Sequence, residues 1–304
     1  MVKQLLGISG IDKIIVLSRD EFKQHEMFRE FGDERLSFFL GDVRDLKRLE
    51  RAFNDVDIVI HAAALKQGPA LEYYPLDAVK TNILGTVNVI DAALDRDVGR
   101  GVFISSDKAV HPVNLYGATK LTAERLIIAS NAYRGRKSRT KLSVIRYGNV
   151  VGSRGSLIEL IEKQRPTGVI TLTDDRMTRF WIYIDDVSKI VVNALVCMQG
   201  GEIFIPKMKS LRIIDVIEAL APECKIKVIG VRPGEKLHEA LLTEHETART
   251  KDLEDMLVVL PEFKSWQGKD IYSKKKSFQK NSLYVSDHSD FLLSRKNVKK
   301  LLKI

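Results

Sequence analysis

A tyrosine and a lysine that lie four residues apart could act together in acid–base chemistry. Tyr116 and Lys120 lie in the run Asn114-Leu115-Tyr116-Gly117-Ala118-Thr119-Lys120, and residues i and i+4 are neighbours on one face of a helix. A phenol has a pKa near ~10 in water, and a nearby ammonium favours its deprotonated form. The spacing therefore predicts a phenol that can act as a base, although the bare pattern also occurs by chance.

A second polar group, Ser105-Ser106-Asp107-Lys108, closes an apolar run that we predict as a strand. In open α/β sheets, the residues that follow the carboxyl ends of strands line the binding crevice. A carboxyl and an amine placed there could serve as a general acid and a general base. The alternative is that Asp107 only caps the next segment and that Lys108 is only exposed. His61, at another strand end, is interpreted as a satisfied core histidine.

Apolar runs alternate with helical patterns over about the first 150 residues. Several runs are apolar on both faces, as strands between two helical layers are, and the segments between them have apolar residues at the helical period. The candidate strands are 13–18, 37–42, 57–63, 101–107 and 142–148, and the candidate helices are 45–53, 75–95 and 116–134. This order predicts a doubly wound, Rossmann-like α/β domain with a parallel sheet over residues 1–150.

Beyond Gly152 the pattern loosens, which predicts a smaller second lobe. Strands are predicted at 169–173, 202–206 and 225–230, and helices at 185–197 and 211–220. We expect residues 185–206 to return to the first sheet. Residues 151–184 and 207–304 then form a substrate-binding lobe with a basic C-terminal segment.

Charge and cysteine usage exclude several classes of protein. Of the net charge of +9, residues 269–304 carry +7, from ten Lys or Arg and three Asp. Because this segment has few aromatic residues, we interpret it as a solvated surface and predict no nucleic-acid partner. No apolar stretch approaches the ~18 residues of a membrane span, and the start carries no export signal. Cys197 and Cys224 lack metal-ligand spacing, so we expect a cytoplasmic protein with no metal and no membrane partner.

Ten short segments, in order, resemble the extended, nucleotide-sugar branch of the short-chain dehydrogenase/reductase superfamily. Within that branch the chain is similar to the UDP-N-acetylglucosamine 4,6-dehydratases that invert C5, the enzymes that open pseudaminic acid synthesis. Related membrane-bound and capsule dehydratases have Met where this chain has Tyr116. The matching segments are Ser18–Glu21, Gly41–Asp45, His61–Lys66, Lys80–Asn82, Ser105–Lys108, Tyr116–Lys120, Arg146–Ser156, Arg176–Trp181, Gly200–Phe204 and Arg232–Lys236.

The resemblance implies a hydro-lyase that oxidises UDP-N-acetylglucosamine at C4, eliminates water across C5 and C6, and returns the same hydride to C6. Tyr116 would take the proton of the C4 hydroxyl. Lys108 would remove the C5 proton, and a protonated Asp107 would donate to the departing C6 hydroxyl. Lys120 would bind the nicotinamide ribose and bias Tyr116. The product would be UDP-2-acetamido-2,6-dideoxy-β-L-arabino-hex-4-ulose.

The resemblance also implies binding residues and NADP as the cofactor. A basic residue after the second strand of such folds accommodates the 2′-phosphate, which Arg19 and Lys23 would do; a solvated helix start is the alternative. The other cofactor residues would be Ser18, Asp20, Asp42, Val43, Ala62, Ala63, Lys66, Tyr116 and Lys120. The substrate residues would be Lys66, Ser105, Ser106, Asn149, Arg154, Arg179, Arg232 and Glu235, with the arginines on the diphosphate. We also expect a homo-oligomer.

The chain departs from the superfamily pattern at its start. The pattern has a first strand and a Gly-Gly-x-Gly-x-x-Gly turn before a helix that would end here near Ile11, and Gly7–Gly10 instead fits a helix C-cap followed by a turn. We therefore expect a Rossmann-like domain that lacks its first strand and glycine loop and that retains NADP weakly. Two alternatives stay open: a nucleotide-sugar epimerase or retaining 4,6-dehydratase, and an inactive remnant.

Overall fold

The computed structural model describes residues 1–135, 137–153, 155–263, 271–278 and 283–302. Its strands are β1 (Ile14–Ser18), β2 (Leu36–Leu40), β3 (Ile58–His61), β4 (Arg100–Ile104), β5 (Lys141–Ile145), β6 (Asn149–Val150), β7 (Val169–Leu172), β8 (Thr178–Ile182), β9 (Ile203–Pro206), β10 (Lys209–Arg212), β11 (Lys225–Val228), β12 (Thr250–Asp252) and β13 (Met256–Val259).

The helices alternate with these strands over the first half of the chain. They are α1 (Val2–Leu6), α2 (Glu21–Phe31), α3 (Leu46–Ala52), α4 (Gly68–Tyr73), α5 (Pro75–Ala78), α6 (Gly85–Asp95), α7 (Leu115–Ser130), α8 (Leu157–Gln164), α9 (Ile184–Cys197), α10 (Ile213–Leu220), α11 (Glu244–Thr247) and α12 (Val298–Leu302). A π-helix covers Val79–Leu84, and 3-10 turns cover Asp107–Ala109, Arg165–Thr167 and Arg295–Asn297.

The main sheet has six strands in the order β12-β13-β9-β5-β4-β3. Strands β3, β4, β5 and β9 are parallel, whereas β13 and β12 continue the sheet in antiparallel fashion. Strands β1 and β2 form a separate parallel pair. These pairings correspond to strands 4-5-6 and 3-2 of the doubly wound order 3-2-1-4-5-6, and no strand among the described residues takes the first position. The predicted Rossmann-like α/β fold is confirmed.

Two hydrophobic clusters hold the chain together. The larger cluster packs α6, α7 and α9 against the main sheet, with buried side chains such as Phe103, Val144 and Phe204. The smaller cluster includes Ile161, Ile170 and Trp181 and lies among the elements after Gly152. Those elements contain a three-stranded sheet, β10-β8-β6, and a pair, β11-β7. The boundaries of the two predicted lobes stay a prediction.

Several predicted boundaries were wrong where the backbone changes conformation. The segment 75–95, predicted as one helix, is divided into α5, the π-helix and α6, and the segment 211–220 begins as strand β10 because its first residues pair with β8. The predicted strand 101–107 ends at Ile104. Strands β8, β12 and β13 were not predicted. The helix C-cap at Gly7 is confirmed.

A search of the described residues for long, apolar helices finds none that could cross a membrane.

Candidate active site

The Ser-Ser-Asp-Lys segment leaves the carboxyl end of β4 and turns at once. The backbone N–H of Asp107 donates to the carbonyl of Tyr147 at 2.9 Å, so the turn is fixed to the chain that follows β5. Ser106 caps the turn, because its Oγ accepts a hydrogen bond from the Lys108 backbone N–H at 3.3 Å. Asp107 is fully buried, and the Lys108 side chain is 30% exposed. The turn therefore presents one buried acid and one accessible amine.

Lys108 forms ion pairs with two carboxylates. Its Nζ lies 3.0 Å from Oδ1 of Asp107 and 3.4 Å from Oε1 of Glu239. The same Asp107 oxygen accepts a hydrogen bond from Ser106 Oγ at 2.8 Å. Burial alone would lower the pKa of Lys108, but the charges of Asp107 and Glu239 outweigh it and raise that pKa. Lys108 is therefore an ammonium in this arrangement.

Tyr116 lies in the first turn of α7, which begins beside the Asp107–Ala109 turn. Asn114 caps the helix by accepting from the Gly117 N–H at 2.8 Å. A Cβ on Gly117 would collide with the Lys108 carbonyl, so glycine allows the helix to approach the turn. Burial raises the pKa of Tyr116, although the charge of Lys108 and a hydrogen bond with Ser106 oppose that rise. The predicted lowering of the Tyr116 pKa is not observed here.

Lys120 is almost completely buried one turn along α7. Its Nζ donates to the carbonyl of Ile104 at 2.6 Å and lies 4.2 Å from the centre of the Phe103 ring. Burial lowers the pKa of Lys120 to about 8, against the opposing charge of Glu124. Its amine is thus fixed at the end of β4, and the ammonium that opposes the rise in the pKa of Tyr116 is that of Lys108.

Two buried polar side chains support these elements. His61 Nε2 is 3.1 Å from Thr86 Oγ1, and burial, assisted by the charge of Lys120, lowers the pKa of His61 to about 3. It is therefore a neutral core histidine, as the sequence suggested. Asn82 binds both the N–H and the carbonyl of Leu65, at 2.7 and 2.9 Å, and donates to Thr119 on α7 at 3.0 Å. Sequence reasoning gave Asn82 no role; an amide within an apolar helical segment was the signal.

The predicted cofactor residues after β1 form a capped, half-exposed turn. Ser18 Oγ accepts from the Asp20 N–H at 3.2 Å. Asp20 caps α2 through the Lys23 N–H at 3.0 Å and pairs with the Lys23 ammonium at 2.9 Å. The guanidinium of Arg19 lies 3.5 Å from Asp42 on the neighbouring strand end and is 52% exposed. These contacts bring Arg19, Lys23 and Asp42 to one edge.

The remaining predicted cofactor residues follow β2 and β3. Arg44 binds Asp42 through two nitrogens, at 3.0 and 2.6 Å, and these bonds lower the pKa of Asp42 despite its burial. Val43 is buried, whereas Ala62, Ala63 and Lys66 are exposed. Small exposed side chains at the end of β3 leave its backbone accessible. A half-exposed cation and an open strand end fit a phosphate-bearing dinucleotide.

The predicted substrate residues form two groups in the structure. Arg232 and Glu235 lie 3.8 Å apart in a loop whose Gly234 carbonyl accepts from the Asn114 side chain at 2.8 Å. This bond holds the loop against the start of α7, near Tyr116. Arg179 instead donates to the carbonyls of Thr178, Leu237 and Lys236 at 2.7, 3.0 and 2.9 Å, so internal contacts engage its guanidinium.

Three other predicted substrate residues are Ser105, Asn149 and Arg154. Ser105 is buried directly after β4, and its Oγ has no hydrogen-bond partner among the described residues. Asn149 is half-buried and pairs with Trp181 on β8. Arg154 lies outside the described residues.

The amino-acid sequence matches the profile of a family described as polysaccharide biosynthesis protein over residues 1–261. The chain belongs to this family. It is 47% identical over 264 residues to the UDP-N-acetylglucosamine 4,6-dehydratase (inverting) of Campylobacter jejuni, which covers 86% of this chain and 79% of that relative. It is also 41% identical over 253 residues to the UDP-glucose 4-epimerase of Rickettsia canadensis, with coverage of 82% and 74%.

Among solved structures, Pen from Bacillus thuringiensis superimposes with a TM-score of 0.87 at 37% identity, covering 96% of this chain and 89% of that one. These similarities confirm the resemblance drawn from the ten sequence segments.

Glu239 is the site residue of this polysaccharide biosynthesis protein that sequence reasoning missed. It is 3% exposed and contacts Lys108 from the segment after the Arg232–Lys236 loop. The signal in the sequence was only its position, three residues after the matched segment Arg232–Lys236. Among the described residues, no group of three His, Cys, Asp or Glu side chains is placed to hold a metal ion.

Proposed function

We propose that this protein removes water from UDP-N-acetylglucosamine across C5 and C6, with inversion at C5, using NADP. The observation that carries the proposal is the Lys108–Asp107 ion pair beside Tyr116 at the carboxyl end of β4. This arrangement supplies an amine, a carboxyl and a phenol in one place. The relative that is 47% identical and named as an inverting dehydratase supports the same reaction.

The whole reaction needs four proton transfers: one from the C4 hydroxyl, one from C5, one to the C6 hydroxyl and a last one back to C5. A nicotinamide dinucleotide, when bound, would supply the hydride acceptor for C4 and the hydride donor for C6. Tyr116 takes the proton of the C4 hydroxyl. The C4 ketone then acidifies the C5–H bond, which Lys108 breaks. Asp107 protonates the C6 hydroxyl, which leaves as water. When hydride adds to C6, a proton that derives from solvent adds to C5 on the face opposite to the one that lost its proton, and this gives the inverted configuration.

The ion pair reaches the required protonation states by one internal transfer. A proton that moves from Lys108 Nζ to Asp107 Oδ1, across 3.0 Å, leaves a neutral amine and a neutral carboxylic acid. Exclusion of water by a bound sugar favours this neutral pair, since burial disfavours charged groups. After elimination Lys108 holds the C5 proton and Asp107 has lost its own, so the ion pair is restored.

The binding residues proposed here are those that the resemblance implies. Arg19 and Lys23 would meet the 2′-phosphate, which distinguishes NADP from NAD. Lys120 would hold the ribose, and the other cofactor residues would be Ser18, Asp20, Asp42, Val43, Ala62, Ala63 and Lys66. The UDP-sugar would contact Lys66, Ser105, Ser106, Asn149, Arg154, Arg232 and Glu235. Arg179 would act with them only if substrate displaces its internal contacts.

A 4-epimerase is the second candidate, because one relative with that name is 41% identical. Epimerisation at C4 removes a hydride and returns it to the same carbon, so it requires a base for the C4 hydroxyl but none for C5–H. Epimerisation would therefore not require the Lys108–Asp107 pair as a base and an acid. The homo-oligomeric state and the cytoplasmic location also stay predictions.

The test is the product formed from UDP-N-acetylglucosamine in heavy water. We expect a 4-keto-6-deoxy sugar with deuterium at C5 and the L-arabino configuration, identified by NMR. A product with retained configuration at C5 would indicate a retaining dehydratase. A C4 epimer without deuterium at C5 would indicate the epimerase.

A further inference from the structure

Glu239 is held rigidly although its carboxylate is only partly bonded. Its backbone N–H donates to Ser286 Oγ at 2.8 Å, and the Ser286 N–H donates to the Glu239 carbonyl at 2.8 Å. Ser286 Oγ in turn lies 2.6 Å from Thr178 Oγ1 at the start of β8. The Ser286 segment, itself linked to β8, therefore fixes the backbone from which this carboxylate extends.

The carboxylate of Glu239 faces three cations. Lys108 Nζ lies 3.4 Å away, Lys236 Nζ 3.5 Å and Arg179 Nε 3.8 Å. Oε2 is buried and receives no hydrogen bond among the described residues. Such a buried acceptor costs free energy, so its presence calls for an explanation.

The other two cations have acceptors of their own. Lys236 Nζ donates to the carbonyl of Val110 at 2.6 Å. Arg179 donates to the carbonyls of Thr178, Leu237 and Lys236, as described above. Among the described residues, Lys108 Nζ contacts the carboxylates of Asp107 and Glu239 and no backbone carbonyl. The geometry therefore directs Glu239 mainly toward Lys108.

We propose that Glu239 is a positioning residue for Lys108: it holds Nζ beside Asp107 and sets the pH at which the amine loses its proton. This inference deepens the proposed function and rests on it for its catalytic meaning. The charged and titratable groups facing the two side chains are Asp107, Tyr116, Arg179 and Lys236. Asp107 acts in the same direction as Glu239, whereas Arg179 opposes both.

A charge change at residue 239 would show this role directly. An opposite charge within ~4–6 Å typically moves a titration by about 1–3 pH units. Replacing Glu239 with Gln removes such a charge and keeps the size. We therefore expect the neutral fraction of Lys108 at pH 8 to rise roughly tenfold or more.

The experiment measures acetylation of Lys108 in the purified full chain, with limiting acetic anhydride at pH 8 and peptide mass spectrometry. Only the neutral amine reacts, and no substrate is needed. We expect a rise of about tenfold or more for Glu239→Gln and a much smaller rise for Glu239→Asp, which keeps the charge. Equal rises in both variants would mean that the site has only loosened, and would overturn the proposal.

Two further variants complete the test. Glu223→Gln makes the same change in an exposed ion pair with Arg165, and Lys108 labelling should not change. Lys236→Met removes a cation that competes for Glu239, so acetylation of Lys108 should fall. This decrease can be measured even if the Glu239→Gln variant fails to fold. A rise or no change in Lys236→Met would contradict the proposal.

Catalysis supplies the second readout. In Glu239→Gln, the acid limb of deuterium incorporation at C5 should move to lower pH, and the plateau rate should fall because Nζ is less well held. Absence of turnover in the unsubstituted protein would refute the proposed function, while the labelling result would still decide the role of Glu239.

Discussion

Two buried ion clusters contact α7, and they differ in how completely their charges are satisfied. The first surrounds Arg146, just after β5. Its guanidinium donates two hydrogen bonds to Glu124, two to Glu246 and one to the Leu241 carbonyl. All five N–H groups of the guanidinium are thereby used. In the cluster around Lys108, by contrast, Asp107 Oδ2 and Glu239 Oε2 receive no hydrogen bond from any residue that the structure describes.

The difference separates a structural cluster from a chemical one. In the Arg146 cluster, burial opposes the charge of the guanidinium, but Glu124 and Glu246 outweigh it and raise the pKa of Arg146. These groups therefore remain charged, and their ion pairs connect α7, the end of β5 and α11. In the Lys108 cluster, free acceptor oxygens and a partly exposed amine leave room for a ligand and for proton movement. A buried polar group without a partner costs about 1–3 kcal/mol, which a reacting site tolerates for the sake of its chemistry.

We expect the largest loss of turnover from substitutions in the Lys108 cluster. Lys108→Ala removes the amine that takes the C5 proton, and loss of such a base typically reduces turnover by about 10²–10⁴-fold. Asp107→Asn should weaken elimination less, because water can supply the C6 proton. NMR of product formed from UDP-N-acetylglucosamine measures both. Full activity of Lys108→Ala would remove Lys108 from the mechanism.

The second prediction concerns the loss of folding stability when the Arg146 cluster is disrupted. Arg146→Met leaves the carboxylates of Glu124 and Glu246 buried without their partner, and such a loss costs about 3–5 kcal/mol. Urea unfolding followed by circular dichroism measures it. The matched control is Arg165→Met, which breaks an exposed pair with Glu223 and should change stability little. Equal effects in the two variants would contradict the structural role of Arg146.

The third prediction concerns pH and the same structural cluster. Burial would raise the pKa of Glu246, but Arg146 and the capping hydrogen bond from Thr243 lower it to about 2. Because the folded-state pKa is depressed, its stabilisation is present above the ordinary glutamate range, near ~4.3, and is lost as pH falls toward 2. The contribution is roughly 2–3 kcal/mol.

The measurement is the free energy of unfolding between pH 6 and pH 2, with Glu246→Gln as the comparison. The glutamine variant should be less stable at pH 6 and should show a shallower loss of stability on acidification. Parallel curves for the two proteins would mean that Glu246 does not stabilise the fold as a carboxylate.

The two clusters also show what sequence could and could not predict. The Asp107-Lys108 and Tyr116–Lys120 pairs were found because their members are close in sequence and share a motif. Glu239 lies 131 positions after Lys108, and only the tertiary pairing of its segment with Ser286 brings them together. The parallel strands β1 to β5 followed from apolar runs, whereas β12 and β13 join by antiparallel pairing that no local pattern indicates.

The direction of the Tyr116 shift could not be predicted for the same reason. Helical spacing predicted that Lys120 lies on the same helix face as Tyr116. Spacing alone does not predict how deeply the phenol is buried or in which direction the lysine side chain extends. In the structure Lys120 turns to the Ile104 carbonyl, and burial dominates the pKa of Tyr116. A bound nicotinamide ring and sugar would change both environments, which is where the predicted role of Lys120 must be tested.

The fourth prediction concerns the exposed ion pair of Arg19 with Asp42. Unlike the two clusters, this pair is neither buried nor saturated with hydrogen bonds. Arg19 is 52% exposed and its single contact is long, at 3.5 Å, so folding stability should barely change when it is replaced. Arg19→Asp would, however, place a carboxylate where the 2′-phosphate of NADP is expected. A carboxylate at this position accepts a hydrogen bond from the ribose 2′-hydroxyl of NAD instead. We expect preference to move from NADP toward NAD by about tenfold, since one charged hydrogen bond contributes roughly 1.5 kcal/mol or more. Calorimetric titration with each dinucleotide measures the ratio, and Arg29→Asp on the exposed face of α2 is the control. An unsubstituted protein that binds NAD as tightly as NADP would refute the assignment of Arg19 to the phosphate.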